Sequence, residues 1–302
     1  MHSGMSGDLR HFVVVSAEGK RKVIRIQPTK TRFVDIHHLD WDLKWSIQFP
    51  EVITSMNGVT MMWQKICPQW TRTGDNAWAY EWQTTPEYIK EQLAYRQTDP
   101  SGKVIRHNFI TGLVLRAALS GHEDSVELTL TLANQSSAKF YDVASDGGCL
   151  QAKSSDFIDQ DEVGRSYIVV KGKPENMGDL HRTVDIRTAY HVDLTDYEKE
   201  WVNRTAWFWG RSNTAIDRPA ILGAVSHDRS RAIALGYECA TSALQNADGH
   251  HCLHSRPHFG DIEPGQSVTR HGRILFGSEF PPLATRLGKQ LNRLETSASV
   301  QR

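Results

Sequence analysis

The sequence has no excess of charge of either sign: 35 Lys and Arg balance 35 Asp and Glu. A general nucleic-acid binder needs a basic excess to displace counterions from phosphates, so nucleic acid is not an expected partner. The fourteen His add positive charge only below about pH 6.5. No apolar run approaches the ~20 residues that span a bilayer, and the opening "MHSGMSGDLRHFVVV" lacks a basic segment followed by a long apolar one. The expectation is a cytoplasmic protein with no membrane partner, secretion being left open if a leader is removed. Cysteine is sparse. Cys67, Cys149, Cys239 and Cys252 form no CxxC pair, which removes the zinc-ribbon and thioredoxin patterns. A chain of 302 residues builds its core without disulfides, so reduced thiols are expected. Internal repeats, low-complexity tracts and Pro/Gly/Ser-rich linkers are also missing, which points to one large domain rather than several.

What is present is a succession of short strands. "SVELTLTLANQS" alternates apolar and polar residues from Val126 to Ala133, as a strand with one buried face does. "HFVVVSAEGKRKVIRI" reads as two strands, Phe12–Val15 and Val23–Ile26, around a Glu-Gly turn. "RSYIVVKGK", "HRTVDIRTAYHVDL", "PAILGAVSHD", "RAIALGYECA" and "SVTRHGRILFG" repeat the pattern, with Gly, Asn, Asp and Pro between them. Helical pattern is scarce. Thr85–Gln97 reads either as a short helix capped by Thr85 with Pro86 in its first position, or as a strand between strands. At the C-terminus Leu283, Leu287, Leu291 and Leu294 fall on one helical face. The expected fold is all-β: a large antiparallel supersandwich over residues 1–282, with an amphipathic helix and tail over 283–302.

Aromatic residues supply the first candidate surface. In "NAWAYEW", Trp78, Tyr80 and Trp82 share one side of a strand, and in "TAWFWG" Trp207 and Trp209 do the same. Such a face fills a core, or lines a cleft on which sugar rings stack. Alternation fixes sidedness without saying which side is buried.

The second candidate is "GHHCLHSRPHFGDIEPGQ", residues 249–266. His251, His254 and His258 have helical spacing, but Pro257, Gly260 and Pro264 make the segment a strand leading into a loop. On a strand His250, Cys252 and His254 face one way and His251 the other. The histidine count therefore overstates a metal site, and no metal or other cofactor is expected. His254 is a candidate acid or base, and Arg256 beside it offers a fork for a carboxylate or hydroxyl. The acidic stretch Ser154–Arg165 lacks the pattern of a calcium loop and reads as solvated.

Two segments together resemble the galactose mutarotase-like (aldose 1-epimerase-like) superfamily. "LTLTLANQSSAKFYDVASDGGCLQA" has the strand, the Asn134 turn and the second strand, with Cys149 about where the family carries the His that protonates the ring oxygen. "HHCLHSRPHFGDIEPGQSVTRHGRILF" has the strand, loop, Pro-Gly turn and last long strand, with His254 where the family carries its basic Glu. The likeness covers about residues 100–280. It implies the sandwich fold and a sugar cleft on its concave face. Because Cys149 and His254 replace the acid and base, it does not imply mutarotase activity. His254 and Cys149 become the candidate catalytic residues. Arg256, His258, Gln151, Trp207, Trp209 and Trp78 become the candidate lining for a mono- or oligosaccharide, an acidic one if Arg256 meets a carboxylate. Three functions stand open: a carbohydrate-active isomerase, lyase or hydrolase; a non-catalytic carbohydrate-binding protein; and a metal-dependent enzyme with a His-rich, cupin-like site.

Overall fold

The computed structural model describes residues 23–55, 58–61, 67–93, 97–98, 104–105, 111–159, 163–180, 189–192, 210–212, 214–246 and 251–300. Trp207, Trp209 and the first hairpin strand, Phe12–Val15, lie outside them.

Alternating apolar residues set the two main layers. In strand Ser125–Asn134, Val126, Leu128, Leu130 and Leu132 are buried while Glu127, Thr129, Thr131 and Ala133 are half-buried. This strand sits inside a nine-stranded antiparallel sheet. Its order is Lys173–Asn176, Ser166–Val170, Ile221–Val225, Ala232–Tyr237, Ser267–Gly277, Ser125–Asn134, Leu113–Gly121, Ala77–Gln83 and Thr71–Gly74. A second, eleven-stranded sheet follows the order Ile24–Pro28, Phe33–His38, Leu43–Gln48, Cys149–Ala152, Cys252–Ile262, Phe140–Ser145, Val52–Ser55 and Gly58–Met61. From the other edge of Cys252–Ile262 branch Ala240–Asn246, Ala189–Val192 and Gly210–Arg211.

The core lies between the sheets. Val34, Ile36, Trp45, Ile47, Leu150 and Leu253 come from one layer, and Leu115, Leu119, Leu128, Leu130 and Leu222 from the other. The expected supersandwich is therefore the observed architecture. Asn134, buried, ties the layers at one end. Its Nδ2 donates to the carbonyls of Ala138 (2.8 Å) and Ile262 (2.9 Å), and its Oδ1 accepts the Ser136 N–H (2.9 Å). The turn after Ile262 closes with Gln266 N–H donating to the Glu263 carbonyl at 3.0 Å. Pro264 presets the backbone there, and Gly265 takes the positive φ of 78° that the turn requires.

The ambiguous segment is a helix, Pro86–Leu93. Thr85 Oγ1 accepts the Tyr88 N–H at 3.1 Å, and Pro86 occupies the first helical position. The C-terminal helix runs from Phe280 to Val300, three residues earlier than its leucine stripe alone suggests. Pro281 and Pro282 fit its first turn, where no N–H is needed. Phe280, Leu283, Leu287 and Leu291 pack on Ile221, Val225, Ala232, Ala234 and Leu275, the outer face of the nine-stranded sheet. Among the described residues no helix is long and apolar enough to cross a membrane.

Two expectations follow. Leu287 is fully buried between helix and sheet, so Leu287→Ala should lower stability by about 2–5 kcal/mol. A loss below about 1 kcal/mol in urea unfolding would show that the helix does not dock in this way. His38 is buried, stacks on Trp41 with ring centroids 3.8 Å apart, and accepts the Trp41 N–H on Nδ1 at 3.3 Å. Burial holds its pKa down at about 4, against the pull of Asp40. The neutral ring is favoured by folding, so its contribution is complete above about pH 6.5 and is lost as pH falls through about 4. Urea midpoints taken across that window should fall less in His38→Asn than in the parent chain; equal slopes would refute the assignment.

Candidate functional site

Strand register builds the site. Cys149–Ala152 pairs with Cys252–Ile262 so that Leu150 faces Leu253 and Gln151 faces Cys252. Continuing that antiparallel register sets Cys149 opposite His254. Leu150 and Leu253 enter the core. Cys149, Gln151, Cys252 and His254 therefore share the opposite face, as period two demands. On the neighbouring strand Gln48 and Ser46 pair with Cys149 and Gln151 and extend the same polar face. Gln151 is held at both ends of its amide: Nε2 donates to Cys149 Sγ at 3.2 Å, and Oε1 accepts from Lys153 Nζ at 2.6 Å.

A break in the sheet brings charge to this face. One edge of Cys252–Ile262 is paired with Cys149–Ala152 near its start and with Phe140–Ser145 near its end. Between the two partners the chain turns through Asp146, Gly147 and Gly148. The next strands out break at the same level, where Leu43–Gln48 gives way to Val52–Ser55 across Phe49, Pro50 and Glu51. Asp146 N–H and Ser145 Oγ both donate to the Val52 carbonyl, at 2.8 and 3.0 Å, and lock the two breaks side by side. The turn requires its glycines. Gly147 has φ 46°, and a Cβ there would lie 2.2 Å from the Ser255 carbonyl oxygen. Gly148 has φ 140°, and a Cβ there would lie 2.8 Å from the Ile47 side chain. Tyr237 donates to the Gly147 carbonyl at 2.6 Å from behind.

Six functional groups converge on this seam. Glu51 Oε2 lies 3.1 Å from His254 Nδ1, and Cys252 Sγ lies 3.1 Å from His254 Nε2. Arg256 Nε lies 2.5 Å from Asp146 Oδ1, and its Nη2 donates to Thr54 Oγ1 at 3.2 Å. Cys149 completes the set. His254, Arg256, Cys149 and Cys252 are at most 2% exposed, whereas the Glu51 side chain is 20% exposed. Burial opposes charge on His254, but Cys149, Glu51 and Asp146 together outweigh it and hold the imidazole up at about 9. Burial, then Cys149 and Asp146, push Glu51 up to about 8 against the pull of His254 and Arg32. Both shifts favour retaining protons, so the carboxylate–imidazole pair keeps a proton at neutral pH. Burial, then Cys149, Glu51 and Asp146, push the Cys252 thiol well up. Two donor sets have all their ligand atoms within 4.8 Å of one another: Cys149, Cys252 and His254; and Glu51, Asp146 and His254.

The other sequence-predicted residues divide. Gln151 and Arg256 lie on the polar face, but the Arg256 guanidinium is met by Asp146 instead of standing ready for an acidic sugar. His258 lies four residues beyond His254, about 13 Å along the strand, and its Nε2 is 2.7 Å from Asp142 Oδ1. Trp78 is not brought to the site. It belongs to the nine-stranded sheet and packs, with Tyr80 and Trp82, against the core, because that side of its strand is the inner one. His251 faces away, as the strand reading requires, and bridges Ser166 Oγ (3.0 Å) and the Phe157 carbonyl (2.9 Å). In the acidic stretch Asp156 pairs with Arg231 at 3.2 Å and Asp159 lies 3.8 Å from Arg165, so those charges are structural. All four cysteines are free thiols. A depression of about 330 Å³ on the nine-stranded sheet, lined by Glu81, Arg116, Thr129 and Thr131, has its one ion pair closed at 2.5 Å and no convergent acid/base set. Sequence reasoning missed Glu51 and Asp146, and named Cys252 only as sharing the face of His254. The signals available were "FPEV", where a proline ends a strand just before a carboxylate, and "SDGGC", where two glycines follow one.

No protein-family model matches the sequence, and none of the curated proteins does. Solved structures do. Among them are galactose mutarotase-like proteins. A Synechocystis sp. PCC 6803 protein is 10% identical with a TM-score of 0.49, covering 85% of this chain and 93% of its own. A galactose mutarotase related enzyme from Lactobacillus acidophilus is 8% identical with a TM-score of 0.43, over 84% of this chain and 97% of its own. A galactose mutarotase-like protein from Lactobacillus casei ATCC 334 is 7% identical with a TM-score of 0.43, over 84% and 99%. At these values the likeness transfers no residue role and no activity to this chain.

The Asp146–Arg256 pair yields a stability test. Asp146→Ala leaves a buried guanidinium without its counter-charge and should lower stability by about 3–5 kcal/mol. Adding Arg256→Leu should restore most of it, since both charges are then gone. A double variant no more stable than Asp146→Ala would show that the two residues do not act as a pair.

Proposed function

We propose that the protein binds and processes a carbohydrate at the seam of the eleven-stranded sheet. Glu51 is the group that gives and takes the proton, and His254 is the residue that positions it. The observation that carries this reading is the gradient of burial through the cluster. Cys149, Cys252, His254 and Arg256 are closed off from solvent, while the Glu51 side chain keeps 20% of its surface exposed with Oε2 3.1 Å from His254 Nδ1. A proton acceptor at the rim, with a charged partner behind it, is what acid/base catalysis at a bound ligand needs. His254, the residue to which the sequence alone assigns this work, is too buried to touch a sugar and acts through Glu51. The sugar class is supported by the Asn134 turn and Pro-Gly turn segments that resemble the mutarotase-like superfamily.

The arrangement favours proton transfer over two-carboxylate glycoside hydrolysis. Hydrolysis uses a second carboxylate as nucleophile or base. The nearest here, Asp146, is committed to Arg256. One working carboxylate suits isomerisation or ring opening, where a single group removes a proton and returns it.

The test is a thermal-shift screen of mono- and oligosaccharides, followed by proton NMR of anomer and isomer interconversion for those that stabilise the chain. Glu51→Gln should reduce turnover about 10²–10⁴-fold while leaving sugar stabilisation in place. Stabilisation without turnover in the parent chain would reduce the function to binding. No stabilisation by any sugar would sink the proposal.

A further inference from the structure

We infer that Cys149, Cys252 and His254 form a binding site for one zinc-type transition-metal ion, with the two Sγ atoms and His254 Nε2 as ligands and Glu51 orienting the imidazole from its other nitrogen. The sequence reading expected no metal because it weighed histidines along one strand, which alternate in direction and cannot converge. The converging set is different: one histidine and two cysteines, from two hydrogen-bonded strands, on one face.

The geometry carries the inference. The three donor atoms lie within 4.8 Å of one another, and Cys252 Sγ is 3.1 Å from His254 Nε2. Tetrahedral zinc, with Zn–S near 2.3 Å and Zn–N near 2.0 Å, sets its ligand atoms about 3.5 Å apart, so small side-chain rotations bring these three onto an ion. Two sulfurs and an imidazole select zinc and other soft first-row ions over magnesium or calcium. The surrounding contacts are those of a supported metal site. Glu51 Oε2, 3.1 Å from Nδ1, is a negative charge that favours the proton on that nitrogen and leaves Nε2, which faces Cys252 Sγ, for an ion. Gln151 Nε2 donates to Cys149 Sγ at 3.2 Å, and Lys153 on Oε1 fixes the direction of that amide. An N–H aimed at sulfur is a contact that a metal-bound thiolate accepts. The alternative set of Glu51, Asp146 and His254 is weaker, because Asp146 already neutralises Arg256. Three protein ligands leave one of the four tetrahedral positions for water or another small ligand. The inference does not depend on the carbohydrate reading; it concerns the buried side of His254, and that reading concerns the rim.

The test uses the full chain, reduced and stripped with chelator, carrying Cys67→Ser to remove the exposed thiol. Cobalt(II) titration should produce sulfur-to-cobalt charge-transfer absorption and tetrahedral d–d bands, saturating at about one ion per chain and displaced by zinc. Cys149→Ser and Cys252→Ser should each weaken the charge-transfer band, and the double variant should abolish it. Glu51→Gln keeps all three ligands, so it should keep the bands while raising the dissociation constant about 10–100-fold. Two results overturn the inference: no charge-transfer band in the Cys67→Ser chain, which needs no further variant to fold, or a band that survives in the double variant. The sugar screen run on the stripped chain separates the two proposals. Sugar stabilisation without cobalt bands removes the metal alone, and bands without sugar stabilisation remove the carbohydrate alone.

Discussion

Strand Cys252–Ile262 is hydrogen-bonded along both edges, and one of those edges is divided between two partners, Phe140–Ser145 and Cys149–Ala152, that are consecutive in the chain. The three residues between the partners cannot pair, yet they run through the interior. Their backbone groups are met by Val52, Ser145 and Tyr237, as buried peptide groups must be. The placement of every group in the candidate site follows from that division. It sets Asp146 beside Arg256, starts the next strand at Cys149 opposite His254, and aligns with the second break that delivers Glu51.

Charge is concentrated where the sheet is interrupted. Other ion pairs among the described residues include surface contacts such as Arg116–Glu81 and Arg286–Asp124, both more than 40% exposed, and such pairs add little stability. At the seam a guanidinium and an imidazole are enclosed with two carboxylates. Burying charge in this way stabilises a fold poorly compared with a well-packed apolar set of the same volume. Arrangements that are locally unfavourable tend to mark working sites. The buried polar face of the eleven-stranded sheet, back to back with a core face of Trp45, Ile47, Leu150 and Leu253, is such an arrangement.

The sequence made the fold legible where periodicity is local. Val126–Ala133 is a strand with the predicted buried face, and the leucines from Leu283 onward lie against the sheet. Thr85–Gln97 stayed ambiguous because a short segment of mixed polarity satisfies both periods, and its resolution rests on one capping hydroxyl. The site was legible in part. Cys149 and His254 were singled out and stand on adjacent strands. Gln151 and Arg256, named as lining for a sugar, stand near them, but the partner of Arg256 was invisible because Asp146 lies 110 positions away in sequence. Glu51 was overlooked for the same reason, since register between distant strands is set by the whole sheet, whereas Cys252 was seen to share the face of His254 and was given no role. Trp78 stands in the other sheet against the core, because alternation told which residues accompany it and not that they face inward.

Asn134 joins the two layers through one side chain, whose amide caps its own turn and holds the last carbonyl of Cys252–Ile262. Losing the Asn134 side chain would free that carbonyl and the turn at the head of the nine-stranded sheet together. The ends of the two sheets therefore belong to one opening unit. Amide protons on both sides of the sandwich, remote in sequence, are expected to gain solvent exposure together, because one side chain fastens both ends.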